Sequence, residues 1–263
     1  MFKFQKGDVD PNNNLRTVSY AFRKDFPKIT RHPFLHNKAI RLNDDGYRSD
    51  DFLKEHDGLH ILFSGCSNTY GDGLEEHEIW AKQLYDRIKK DTKVSGFFNI
   101  GTPGQGITYI IFHIFKYIET YGKPDAIFIN FPVSRRFVSF DKKSDKYVYF
   151  NVYEPEDATY ELWQTIPLLE YQYLFMLEKY CKSNHIVLTY GTWDKKSHFD
   201  MYEDLEYYID IYDDIKIAEY AQNHPEDKFT LTARDGVHYG TAFHTVWADS
   251  MYNSYMKRIK NDG

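Results

Sequence analysis

Three separated stretches of this sequence hold the residue types that acyl-transfer chemistry needs. The first is Gly65-Cys66-Ser67-Asn68-Thr69-Tyr70-Gly71. Glycines on both sides let the chain turn sharply. A serine there stands exposed at the end of a strand, with its amide near a helix start that favours negative charge. That suits a nucleophile whose substrate develops an oxyanion. The second is Asp235-Gly236-Val237-His238. An Asp three residues before a His can hold Nδ1 and fix the tautomer, so that Nε2 serves as general base to a serine. The third is Asn99-Ile100-Gly101-Thr102-Pro103-Gly104-Gln105-Gly106, a glycine-rich loop able to offer backbone N–H groups to an oxyanion. Taken singly, each stretch also reads as an ordinary turn with a capping residue.

These residues need elements to bring them together. Leu59–Ser64 is a short apolar strand, and Leu74–Lys90 has helical spacing. Val94–Ile100 is a second strand. Gly104–Tyr121 is a second helix, closed by Gly122 and Pro124. Ala126–Phe131 is a third strand. Phe137–Tyr153 alternates and predicts a β-hairpin insertion. Tyr160–Lys182 is a helix that Pro167 should bend or split. His185–Tyr190 is a fourth strand, Tyr202–Gln222 an acidic helix, and Thr241–Lys260 a final helix. Such alternation argues for a parallel sheet with helices on both faces. Ligands then sit outside the carboxyl ends of the strands, where Ser67, Gly104 and Ser134 fall. Residues 1–58 read as an irregular arm laid over a main domain of residues 59–263.

In this order the stretches resemble the SGNH (GDSL-like) hydrolase family. That family carries Gly-Asp-Ser-x-Thr-x-Gly after its first strand and a glycine-containing loop, often Asn-x-x-x-x-Gly, after its second. Gly-x-Asn-Asp follows the third strand, and Asp-x-x-His lies near the C-terminus. Ser67, Gly104, Asp235 and His238 occupy matching places. Asn43-Asp44-Asp45-Gly46-Tyr47-Arg48 resembles the Asn-x-x-Gly-Phe-Arg segment ahead of the first strand in many sugar-esterase members. The resemblance covers residues 43 to 260. It implies a flavodoxin-like three-layer α/β/α sandwich with a central, mostly parallel sheet. It also implies Ser67 as nucleophile, His238 as base and Asp235 as its partner. The oxyanion hole would be built by Ser67, Gly104 and Ser134.

Two departures stand out. Cys66 replaces the family's Asp, and is expected to face away from Ser67 as a structural residue. Ser134, within Pro132-Val133-Ser134-Arg135-Arg136, stands where the family has its oxyanion-binding Asn. Phage-encoded SGNH-like proteins resemble this pattern, and a Lys-, Asn-, Tyr- and Phe-rich composition fits an AT-rich genome such as a phage's. Arg135 or Arg136 would replace the lost amide donor, or hold a substrate carboxylate or phosphate. Losing one donor costs on the order of 10²–10³ in rate, so a slow enzyme is expected. Asn130 lies within the third strand and reads as structural.

Composition narrows the field. Charged residues make up 27% and apolar ones 42%, which is globular and not disordered. The net charge is −6 with Lys and Arg scattered, which argues against a nucleic-acid partner. The 23 Tyr and 20 Phe exceed what one core absorbs, so many rings must reach the surface or line a groove. Two cysteines, Cys66 and Cys181, build no disulfide framework. No signal peptide and no membrane-length apolar run are present, since Ile107–Tyr117 is broken by His113. These features predict a cytoplasmic protein, in the host cytoplasm if phage-encoded. Asp8, Asp10 and Asn12 fail as a calcium loop, because Asn13 and Ser19 occupy the Gly and Glu places. His32 and His36 are separated by Pro33 and no carboxylates follow, so no metal is expected. No cofactor is expected either. Glu75, Glu76 and Glu78 complement a helix dipole, and His244 packs in the last helix.

The expected activity is hydrolysis of a small ester, foremost O-acetyl on a glycan, through an acyl-enzyme. The hairpin and the N-terminal arm are candidate walls of the groove. Two rivals remain open: an O-acyltransferase on the same triad, and a non-catalytic binding or assembly module that keeps the fold.

Overall fold

The structure is a computed structural model that describes residues 29–31, 39–134, 136–141, 146–151, 160–194 and 205–261. The abandoned calcium loop, His32, His36 and Arg135 lie outside these residues.

Four strands form the central sheet: β3 (Ile61–Gly65), β4 (Phe98–Asn99), β5 (Ala126–Phe131) and β8 (Val187–Thr192). Their order is β4-β3-β5-β8, and every pairing is parallel. Two antiparallel pairs stand outside it. One joins β1 (Ile29–Arg31) to β2 (Ala39–Arg41). The other joins β6 (Arg136–Asp141) to β7 (Lys146–Asn151) where the sequence predicted a hairpin.

The core follows from the two-residue period of strands. Leu62, Ile127, Ile129, Phe131 and Leu188 face one side. There they meet α3 (Ile107–Tyr121) and α4 (Tyr160–Ser183). Ile61, Phe63, Ala126 and Phe128 face the other side, against α2 (Trp80–Asp91) and α6 (Thr241–Asn261). A sheet buried on both faces reads as continuous apolar runs, which is why β3 and β5 were legible. The result is the three-layer α/β/α arrangement. Connections from β3 leave toward β4 on one side and return to β5 on the other. The helix after β3 packs on one face and the helix after β5 on the other, so the connections part between these two strands, the place where such sheets hold ligands.

Several elements differ from the sequence reading. The predicted helix over 74–90 begins as a 3-10 turn (Glu76–Glu78) before α2. β4 is only two residues, with a single further bridge between Leu59 and Val94. α4 runs continuously through Pro167 and is not split. Packing of Ile166, Glu170, Leu174 and Leu177 offsets the lost backbone bond. The acidic helix shrinks to α5 (Asp214–Asn223), capped by Asp213, which accepts from the Lys216 amide at 3.0 Å. The residues before it run beside β8: Ile209 N–H donates to Tyr190 O at 2.8 Å. Their alternation of Tyr, Ile and Asp is a strand period that the charges obscured.

The described part of the arm is closely tied to this domain. Tyr47 joins the α3-side core, and the Phe52 ring meets Phe98, Tyr117 and Tyr121. No helix among the described residues is long and apolar enough to cross a membrane.

Candidate active site

Ser67 opens α1 (Ser67–Tyr70), a single turn directly after β3. The Thr69 and Tyr70 amides both donate to Cys66 O, at 3.0 and 2.9 Å. The preceding amides, of Ser67 and Asn68, start the turn and have no acceptor within it. Gly71 ends the turn at φ +87°, a left-handed conformation suited to glycine.

Three buried side chains fix this turn. Arg48, 3% exposed, donates to Gly71 O and Leu74 O, both at 2.9 Å. Burial lowers its pKa against the pull of Tyr70 and nearby carboxylates. Asn99 donates from Nδ2 to Thr69 O at 2.9 Å, and its Oδ1 accepts the Gly101 amide at 2.8 Å. The first and third stretches are thereby joined. Thr102 N–H adds a bond to Gly65 O at 3.1 Å. Beyond it Gly104 adopts φ +79°. The third is Trp80, whose indole N–H donates to Thr69 Oγ1 at 3.3 Å.

Asp235 and His238 occupy the turn before α6. His238 Nδ1 bonds to Asp235 Oδ2. Asp235 Oδ1 accepts the Val237 and His238 amides at 2.9 and 3.0 Å. The Asp235 side chain is 2% exposed and that of His238 25%. Burial pushes the Asp235 carboxyl up, but the two amides and the His238 ring together outweigh it, and its pKa is lowered. The carboxylate takes the proton-bearing Nδ1, so Nε2 keeps its lone pair. Nε2 has no bond to any described residue.

Two links hold this turn against the Ser67 loop. Arg234 N–H donates to Gly73 O at 3.2 Å, and a Cβ on Gly73 would lie 2.9 Å from Asp235 Cγ. Arg234 also forks onto Glu78 at 2.6 and 2.8 Å. Glu78 thus does more than complement a dipole. Trp193, just past β8, forms the second link. Its Nε1 donates to Cys66 Sγ at 3.1 Å, and its ring lies 5.8 Å from that of Tyr239. The neighbours of those two contacts are Ser67 and His238.

Two expectations are corrected. The Cys66 thiol is not turned away from Ser67: Sγ is 3.8 Å from Ser67 Oγ while it accepts from Trp193. Ser134 does not aim its hydroxyl at an oxyanion. It donates to Glu170, fully buried on α4, and a hydroxyl has only one proton to give. Arg136 lies over Trp193, with its guanidinium carbon 5.5 Å from the ring centre. Asn130 is fully buried in β5, paired in register with Gly65. His244 is fully buried in α6, where Nδ1 accepts the Trp80 amide at 3.0 Å. Burial, reinforced by His238, lowers it to about 3. Among the described residues no three His, Cys, Asp or Glu side chains gather as metal ligands.

Sequence reasoning did not find Trp193 or Glu170, which pair across long separations and leave no local pattern. Arg48 and Asn99 stood within quoted motifs, the Asn43–Arg48 segment and the head of the glycine loop, but neither was given a role there.

No family model matches the chain, and no curated protein matches it. Solved structures with a similar course of chain include the psychrotrophic esterase EstA from Pseudoalteromonas sp., inhibited by monoethylphosphonate. It is 14% identical, with 76% of this chain and 98% of that one covered and a TM-score of 0.43. The C-terminal catalytic domain of Streptococcus pneumoniae peptidoglycan O-acetyltransferase A, bearing a methylsulfonyl adduct, is also similar. It is 11% identical, with 77% and 95% covered and a TM-score of 0.31. At these values neither likeness says what this chain does.

Proposed function

We propose that the protein is a serine ester hydrolase of the SGNH type, working through an acyl-enzyme on Ser67. The observation that carries this reading is the hold of Asp235 on His238 beside the Ser67 turn. A carboxylate whose side chain is 2% exposed takes Nδ1, and Nε2 has no bond to a described residue.

In this reading Nε2 takes the Ser67 proton as Oγ bonds to the ester carbonyl carbon. The carbonyl electron pair moves to oxygen, where the amides of Ser67 and Gly104 hold it. The oxyanion collapses and the bond to the leaving alcohol oxygen breaks. His238 returns its proton to that oxygen. Water then attacks the acyl-serine in the same way and releases the acid. Asp235 stays ionised throughout. Ser134, whose hydroxyl proton goes to Glu170, is left out of the oxyanion hole in this reading. A small acyl group on a carbohydrate is the proposed substrate, supported by the resemblance of the Asn43–Arg48 segment to sugar esterases.

The test is labelling by a fluorophosphonate probe together with turnover of 4-nitrophenyl acetate, beside Ser67→Ala and His238→Ala. A single adduct on Ser67, with turnover lost in both variants, is the expected result. Folded protein that neither labels nor exceeds the variants would sink the proposal and favour a binding module.

A further inference from the structure

Arg136 is a cation with no counter-charge among the described residues, set near the proposed triad. It opens β6, five residues past the end of β5 at Phe131. Its main chain is fixed against the glycine loop, since a Cβ on Gly106 would overlap the Arg136 carbonyl. Its guanidinium lies over the Trp193 ring. Trp193 in turn bonds to Cys66 and packs on Tyr239, which flank Ser67 and His238. One indole therefore links this cation to the chain neighbours of Ser67 and His238.

Other buried or half-buried arginines spend their terminal donors. Arg48 bonds to carbonyls and Arg234 to Glu78. Arg87 pairs with Asp249. A buried Nε without a partner is common to Arg48, Arg136 and Arg258, but Arg136 alone among these arginines has no ion pair and no hydrogen bond to a described residue from its terminal nitrogens either. Taking guanidinium donors out of water without an acceptor costs free energy, and a ring face returns only part of it. A planar fork backed by an indole, with its donors unspent, suits bidentate capture of an oxyanion.

We infer that Arg136, backed by Trp193, selects the substrate of the Ser67 site: an ester that carries a second, anionic group, a carboxylate or a phosphate. The chemistry of this inference rests on the esterase reading, but the anion binding does not. The anion is a fixed part of the substrate. The oxyanion made during reaction belongs to the amides of Ser67 and Gly104.

The test compares 4-nitrophenyl acetate with 4-nitrophenyl hydrogen succinate, 4-acetoxybenzoate and 4-acetoxyphenyl phosphate, in wild type, Arg136→Gln and Arg136→Lys. The wild type should favour an anionic ester in kcat/KM, mainly through KM. Arg136→Gln should cut that preference by about 10- to 100-fold, with partial recovery in Arg136→Lys. The three anionic esters separate carboxylate from phosphate and the acyl side from the alcohol side. No preference in wild type, or a preference indifferent to Arg136→Gln, overturns the inference. Calorimetric titration of succinate and of inorganic phosphate into Ser67→Ala reads binding without turnover. Binding that disappears when Arg136→Gln is added upholds the anion site even if no ester is hydrolysed, in which case the esterase reading alone fails. Absence of binding of either anion overturns the site.

Discussion

Asp235 has two oxygens with different tasks. Oδ1 closes the turn by accepting two amides, and Oδ2 holds the His238 ring. Asp235→Asn keeps an oxygen for the amides but no longer presents a carboxylate to Nδ1. The expected outcome is a folded protein, by circular dichroism, with kcat down by about 10³–10⁴-fold. A loss of only a few-fold would remove Asp235 from the mechanism. The lowered pKa of Asp235 also has a direction in pH. Its charge is present above the ordinary carboxylate value and is lost only as pH falls through the lower folded value. Asp235 therefore imposes no acid limb on kcat/KM above roughly pH 4.

At the scale of elements, the site depends on clamps between segments that carry no chemistry themselves. Arg48 reaches from the segment before β3 to the carbonyls after α1. Arg48→Ala leaves those buried carbonyls unpaired and should destabilise the protein on the order of 3 kcal/mol. Arg48→Lys should recover little, because an ammonium on one stem does not reproduce the fork. Urea unfolding would measure the loss, and wild-type stability in Arg48→Ala would refute the clamp. The Arg234–Glu78 fork plays the same part for the His238 turn. Its side chains are 15% and 12% exposed, so it is screened less than a surface pair. Glu78→Gln should lower turnover more than it lowers stability, as the turn loosens against the Ser67 loop.

Across the whole molecule, two buried histidines tie stability to acid. His60 is lowered to about 4 by burial and by His56, whose ring stacks on it at 3.5 Å. His244 is lowered to about 3 by burial and by His238. Both folded values lie below the ordinary value of about 6.5. Their contribution is therefore full above pH 6.5 and is lost as pH falls toward 4 and 3. Each should contribute a slope near 1.4 kcal/mol per pH unit in that window. His244→Asn keeps an acceptor for the Trp80 amide and removes one of the two slopes. Melting curves from pH 7 to pH 4 would show it, and an unchanged slope in the variant would contradict the argument.

Local patterns determined much of this protein. The apolar run Ala126–Phe131 could only be a buried strand, and the structure has it with those bounds. The spacing of Asp235 and His238 sufficed to bring carboxylate and ring together, because three residues make one turn. Ser67 between glycines foretold a tight turn at a strand end. Tertiary structure alone decided the rest. Leu205–Asp213 runs beside β8 because an open sheet edge was there to receive it, whereas its charges read as helix. Ser134 is bound by Glu170, Cys66 by Trp193, and the Ser67 loop by Arg48. A hydrogen bond between residues tens of positions apart leaves no trace in spacing. It exists only when packed layers place donor and acceptor within about 3 Å of each other.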